Sequence, residues 1–123
     1  MLKVFICEDE IGTLHSISNI INTYCPDAMV CGSARSVEEA LLNLPTVKFD
    51  LLLLDVNFPD GTGFDILKGM QAGDFKLIFI TAHEEYAVKA IKLSASDYLL
   101  KPLDPKELIS SIEKVKHEIK DES

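Results

Sequence analysis

The chain has 123 residues, 47% of them hydrophobic and 26% charged, which suits one globular domain whose core needs no disulfide support. Twenty acidic residues against twelve basic ones give a formal net charge of −8, which speaks against broad contacts with nucleic acid or with an anionic membrane surface. Cys7, Cys25 and Cys31 are odd in number and lack zinc spacing, so they read as small packing residues of a reducing compartment. Met1 to Ile6 holds no long apolar leader, and no run reaches the roughly 18 apolar residues that span a bilayer. A cytoplasmic location is expected.

In chain order, Val4 to Cys7 is a β-branched and aromatic run and predicts a first strand. Glu10 to Tyr24 predicts a helix, with Ile11, Leu14, Ile17, Ile21 and Tyr24 at helical spacing and Pro26 closing it. Ala28 to Ser33 predicts the second strand. Ser36-Val37-Glu38-Glu39 resembles a capping box that opens a helix ended by Pro45. Leu51 to Leu54 predicts a strand buried on both faces. Asp60-Gly61-Thr62-Gly63 is expected as a loop, Phe64 to Met70 as a helix stopped near Gly73, and Lys76 to Ile80 as a fourth strand. Glu84 to Leu93 predicts a helix and Asp97 to Leu100 a last strand. Asp104, Pro105 and Glu107 then supply an N-cap, a first-turn proline and an acidic third position. The final helix is expected to run to about Lys120, with a polar, frayed end beyond it. Strict strand–helix alternation implies an α/β fold: a doubly wound, five-stranded parallel sheet with helices on both faces.

In such sheets, sites form outside the carboxyl ends of the strands. The polar residues that follow each apolar run are Glu8-Asp9-Glu10, Asp55, Thr81 and Lys101-Pro102. Parallel strands bring them to one edge. Carboxylates crowded together repel unless a cation sits among them, and oxygen ligands suit a hard ion such as Mg²⁺. Mg²⁺ commonly bridges carboxylates to a phosphate, so Asp55 becomes a candidate phosphoryl acceptor, with the Lys101 ammonium balancing charge. Taken singly, Thr81 reads as a cap, Lys101 as a surface lysine and Asp55 as a turn residue; the order of the whole set carries the argument.

With these pieces in place the sequence resembles the receiver domains of two-component response regulators, from about Leu2 to Lys116. The matching stretches are Val4 to Glu10, Leu53 to Gly63, Ile80-Thr81-Ala82 and Asp97 to Pro102. The resemblance implies a flavodoxin-like strand order 2-1-3-4-5. It makes Asp55 the phospho-acceptor and gives Asp9, Asp55 and the Asn57 backbone carbonyl to Mg²⁺, with Glu8 reaching it through water. Mn²⁺ or Ca²⁺ can take the place of Mg²⁺. Lys101 would contact the phosphoryl group across a cis bond to Pro102, Thr81 would turn its hydroxyl toward it, and Tyr98 would be the switch aromatic. Ala82 would offer a backbone N–H. Phe58, where the family often has Met, is expected to pack under the loop. Asn57 and His83 would tune the lifetime of the phosphoryl group.

Thr81 to Ile91 and Ser96 to Leu103 are similar to the LytTR branch, whose members carry a DNA-binding output domain. The resemblance therefore implies a histidine kinase as phosphodonor, a fourth-helix, fifth-strand and fifth-helix face for dimerisation or effector contact, and DNA contact through a separate domain only. Residues 1–123 are expected to form one receiver domain, with 117–123 as a polar tail or the start of a linker, and the chain as a piece of a longer regulator. Such a domain accepts a phosphoryl group and is not a turnover enzyme. The competing readings are a pseudo-receiver acting without phosphorylation and a haloacid-dehalogenase-like phosphatase. The second would need an acid two residues after the nucleophile, where Asn57 stands. A flavin carrier of the same topology would need a phosphate-cradling Ser/Thr/Gly-rich loop, and none follows the first strand.

Overall fold

The computed structural model describes residues 1–70 and 73–122. The elements are β1 (Leu2–Cys7), α1 (Ile11–Tyr24), β2 (Ala28–Ala34), α2 (Val37–Asn43), β3 (Leu51–Leu54), α3 (Gly63–Gly69), β4 (Lys76–Thr81), α4 (Ala87–Lys92), β5 (Asp97–Leu100) and α5 (Pro105–Glu122). A single 3-10 turn, Leu44–Thr46, follows α2, and a two-residue antiparallel ribbon pairs Asn57–Phe58 with Gly61–Thr62 before α3. The sheet order is β2-β1-β3-β4-β5 and every pairing in it is parallel, which is the flavodoxin-like arrangement.

Alternation along each strand divides the core into two layers. Val4, Ile6, Leu51, Leu53, Ile78 and Ile80 point to one face and pack on Leu14, Ile17 and Ile21 of α1 and Leu108, Ile112 and Val115 of α5. Phe5, Cys7, Leu52, Leu54, Leu77 and Phe79 point to the other and meet Val37 and Ala40 of α2, Phe64 and Ile66 of α3, and Ala90 of α4. All four leucines of β3 are buried, each contributing about 2 kcal/mol of apolar transfer. This central strand is where the four-leucine run had to go, because helices cover both of its faces.

Local signals explain most element ends. Ser36 Oγ accepts from the Glu39 N–H at 3.0 Å, and the Asp60 carboxylate caps α2 as well, through the N–H groups of Val37 (2.9 Å) and Glu38 (3.0 Å). Asp104 Oδ1 accepts from the Lys106 N–H, and Pro105 opens α5. The segment expected as a plain loop contains a full capping box, in which Thr62 and Asp65 each take the other's backbone N–H at the start of α3.

Two expectations need correction. The fourth helix covers only Ala87–Lys92 rather than Glu84 to Leu93, because its N-cap, Tyr86, has no side chain able to bond the free N–H groups. It ends through Ser94 in the left-handed region, with the Ala95 N–H reaching back to the Ala90 carbonyl. The last helix continues to Glu122, whose carboxylate lies 2.6 Å from Lys76 Nζ, so residues 120–122 are helical rather than a polar tail; Ser123 lies outside the described residues. Phe58 is buried under the β3–α3 loop, as expected. Cys7 and Cys25 are buried, Cys31 is half-buried, and burial pushes the Cys7 thiol up to about 12, which suits packing. No described helix is long and apolar enough to cross a membrane.

Candidate functional site

The strand registers decide which polar residues meet. Cys7 pairs with Leu54, and the next backbone bond runs from the Asp55 N–H to the Cys7 carbonyl at 3.1 Å. Glu8 and Asp55 are therefore each the first residue past adjacent, central strands. On the other side Thr81 pairs with Leu100, and the Lys101 N–H donates to the Thr81 carbonyl at 2.9 Å. The acids of β1, the aspartate of β3 and the lysine of β5 consequently share one rim.

Lys101 Nζ lies 2.8 Å from Asp55 Oδ2 and 2.7 Å from Glu8 Oε1, with Glu10 Oε1 at 4.0 Å. Asp55 is 6% exposed and its Oδ1 accepts from the Val56 N–H at 2.6 Å. Glu8 is 1% exposed; its Oε2 accepts from the Glu10 N–H at 3.1 Å. The contact from Lys101 to Glu8 Oε1 is a close ion pair without the alignment of a hydrogen bond, so this buried oxygen is left without one. Burial pushes the Glu8 carboxyl up to about 7, against the pull of Lys101 and the Glu10 N–H. Burial alone would lower Lys101, but Asp55 and Glu8 together outweigh it and hold the ammonium above its ordinary value.

Carboxylate oxygens of Glu8, Asp9 and Asp55 lie within 4.8 Å of one another, the one such group of potential ligands among the described residues. Three oxygen donors, one of them a buried oxygen lacking a hydrogen bond, fit a hard divalent cation and offer nothing to a soft one. A single ammonium against three clustered carboxylates leaves the rim short of positive charge.

The other candidates fall beside this cluster. Thr81 is fully buried at the end of β4, and its Oγ1 accepts from the His83 N–H at 3.4 Å. The Tyr98 hydroxyl donates to the His83 carbonyl, and its ring packs on Phe79 at 5.9 Å between centroids. His83 thus bridges Thr81 to Tyr98 through its own backbone. Asn57 is exposed at the start of the ribbon, two residues beyond Asp55. The Lys101–Pro102 bond is cis.

Sequence reasoning missed three supports. A Cβ on Gly63 would lie 2.2 Å from the Asp55 carbonyl oxygen, so α3 abuts the Asp55 backbone only because this residue has no side chain. Asp60 ties the β3–α3 loop to α2. Arg35 donates from Nε and Nη2 to the Asp9 carbonyl at 3.2 and 3.1 Å. The capping spacing Thr62-x-x-Asp65 beside Gly63 was readable; the Asp60 and Arg35 contacts cross more than twenty residues and left no local trace.

Residues 4–113 match the response regulator receiver domain family. The chain is 36% identical over 124 residues to the sensory transduction protein LytR of Staphylococcus haemolyticus, covering 96% of this chain and 46% of that protein. It is 33% identical over 121 residues to LytT of Enterococcus faecalis, covering 96% and 49%. The chain therefore spans about half the length of the curated relatives it matches. Among solved structures, the response regulatory domain of mrkE from Klebsiella pneumoniae superposes with a TM-score of 0.88 at 32% identity, covering 98% of this chain and 99% of that one. The receiver domain of AraT from Geobacillus stearothermophilus gives 0.87 at 33%, covering 98% and 97%. A sheet rim carrying two β1 acids, a β3 aspartate and a β5 lysine, in a chain matched over this length, makes it a receiver domain of a two-component response regulator, similar to LytR and LytT: a signalling domain, not a turnover enzyme.

Proposed function

We propose that Asp55 accepts a phosphoryl group from a histidine kinase in a step that needs Mg²⁺, and that the modified domain changes its α4–β5–α5 face to control an output domain that binds DNA. The observation that carries the reading is the juxtaposition of Glu8, Asp9 and Asp55 with the Lys101 ammonium touching two of the three. Asp9 and Asp55 would hold the ion directly, with the Asn57 carbonyl, and Glu8 through water; Mn²⁺ or Ca²⁺ would fit the same donors. Bound there, the ion supplies charge neutralisation for the incoming phosphoryl oxygens.

The chain's own groups do the rest. An oxygen of the Asp55 carboxylate attacks phosphorus, an O–P bond forms, and the P–N bond to the donor imidazole breaks with its electron pair leaving on the imidazole. Lys101 stands 2.8 Å from the nucleophile and stabilises the charge that arrives. Asp55 is itself only 6% exposed, which limits access of water. The added negative charge and acceptor oxygens draw the Thr81 hydroxyl. His83 then transmits the shift, since its N–H bonds Thr81 and its carbonyl takes the Tyr98 hydroxyl. The face that responds exposes Val88 and Ile91 on α4 at 64% and 75%, with Leu100 of β5, beside Lys89, Lys92 and Lys106. A second copy of the domain is the proposed occupant of that face, and it stays as long as the phosphoryl group survives on Asp55.

The test uses acetyl phosphate as donor and the intact mass as readout. One phosphoryl group should add in the presence of Mg²⁺, none in EDTA, and none to Asp55→Asn. A mass gain that survives either the chelator or the substitution contradicts the proposal.

A further inference from the structure

We infer that Arg35 is a positioning residue for the divalent cation: its guanidinium holds the Asp9 carbonyl and thereby aims the Asp9 carboxylate into the acid cluster. The inference rests on the Mg²⁺ reading above and adds a residue to it. Arg35 is the single arginine of the chain. It stands where the parallel ladder between β1 and β2 runs out. The last paired residues are Cys7 and Ala34, and the last backbone bond runs from the Glu8 N–H to the Ala34 carbonyl at 3.0 Å. On the other side, the first helical bond of α1 runs from the Leu14 N–H to the Glu10 carbonyl, and the Glu10 side chain gives no cap bond. Asp9 falls between these two regular ladders.

The two N–H groups of Arg35 reach its carbonyl from across the gap, at 3.2 and 3.1 Å, and extend the β1–β2 contact by one residue. The base of the arginine is itself fixed, between buried Ala34 and the α2 cap residue Ser36. Because the guanidinium goes to the carbonyl, the Asp9 carboxylate is left to the cluster with Glu8 and Asp55. Orientation and charge oppose each other here. Holding the peptide raises cation affinity by fixing a ligand, whereas a positive charge near the cluster lowers it. Lysine keeps the charge and loses the planar two-pronged donation; glutamine loses the charge.

The experiment measures Mg²⁺ dissociation constants of the whole 123-residue domain by calorimetry at fixed ionic strength. It compares wild type, Arg35→Lys and Arg35→Gln, with thermal midpoints in EDTA alongside. Arg35→Lys should weaken Mg²⁺ about tenfold, as loss of a group orienting a metal ligand does, while the midpoint in EDTA stays near that of wild type. Unchanged affinity in Arg35→Lys together with tighter binding in Arg35→Gln would reduce the residue to a repelling charge and overturn the inference. A midpoint falling in step with affinity would make Arg35 a general stabiliser and overturn it too. Both outcomes leave the Mg²⁺ reading standing, whereas failure of the wild type to bind Mg²⁺ would remove that reading and this one together.

Discussion

A carboxylate buried to 1% exposure beside two others is an expensive group, and Glu8 shows how this chain accommodates it. Its folded-state value, about 7, lies above the ordinary 4.5, so the folded protein holds a proton there that the unfolded chain gives up. The stability that follows is full below about pH 4.5 and is lost as pH rises through about 7. In EDTA, Glu8→Gln should therefore melt higher than wild type at pH 8, by an amount on the order of 2 kcal/mol, and the gap should close at pH 5. With Mg²⁺ present at pH 8 the ordering should reverse, since the cation compensates the wild-type charge only. Thermal melts at the two pH values check both statements. Gly63 is the second residue on which the placement of Asp55 depends. Gly63→Ala should cost about 2 kcal/mol in urea unfolding, because the Asp55 carbonyl 2.2 Å away is backbone and must move. It should also slow phosphorylation, as Asp55 moves with its carbonyl. Glu8, Asp55, Thr81 and Lys101 were legible because each directly follows an apolar run, and Asp9 because it adjoins Glu8. Arg35, Asp60 and Gly63 were not, because what they touch lies on another element.

Elements with strong local signals lie where the sequence predicts them, and the ends of those without do not. Ser36, Pro105 and the four leucines of β3 mark their elements in the sequence and appear where expected. For α4 the apolar pattern Ala87, Val88, Ala90, Ile91 suggested a longer helix, yet only Ala90 is buried and the capping position holds Tyr86. A six-residue helix with one buried side chain gains little from packing. Its backbone amides should exchange with solvent well before those of α5, which buries Leu108, Ile112 and Val115. Protection of α4 equal to that of α5 in hydrogen-exchange measurements would contradict this. Under the proposed function, a loosely held α4 beside Tyr98 is the element expected to move with the state of Asp55. At this scale, propensity and periodicity under-determine the ends of short, exposed helices, and the end of α5 shows the opposite error. Its last turn reads as a polar tail in sequence, but the pair between Lys76 and Glu122 holds it to the sheet.

The whole molecule is a sheet whose two faces are sealed by helices, which leaves its edges and rims as the places where polar chemistry can stand. That architecture followed from the alternation of short apolar runs with helical patterns, and the observed order β2-β1-β3-β4-β5 puts β1 and β3 side by side at its centre. The reversal of strand order there, with β2 on one side of β1 and β3 on the other, is what makes the rim a site. Sequence could say that acids, an aspartate and a lysine end their strands; only the register could bring Lys101 within 2.8 Å of Asp55, forty-six residues away. The central claim is that this convergence makes Asp55, and no other carboxylate of the cluster, the phosphoryl acceptor. The most direct measurement is borohydride reduction of the phosphorylated domain, which converts an acyl phosphate to an alcohol, followed by peptide mass spectrometry. The reduced residue should be found at position 55 alone, and a reduced side chain at position 8 or 9 instead would contradict the account.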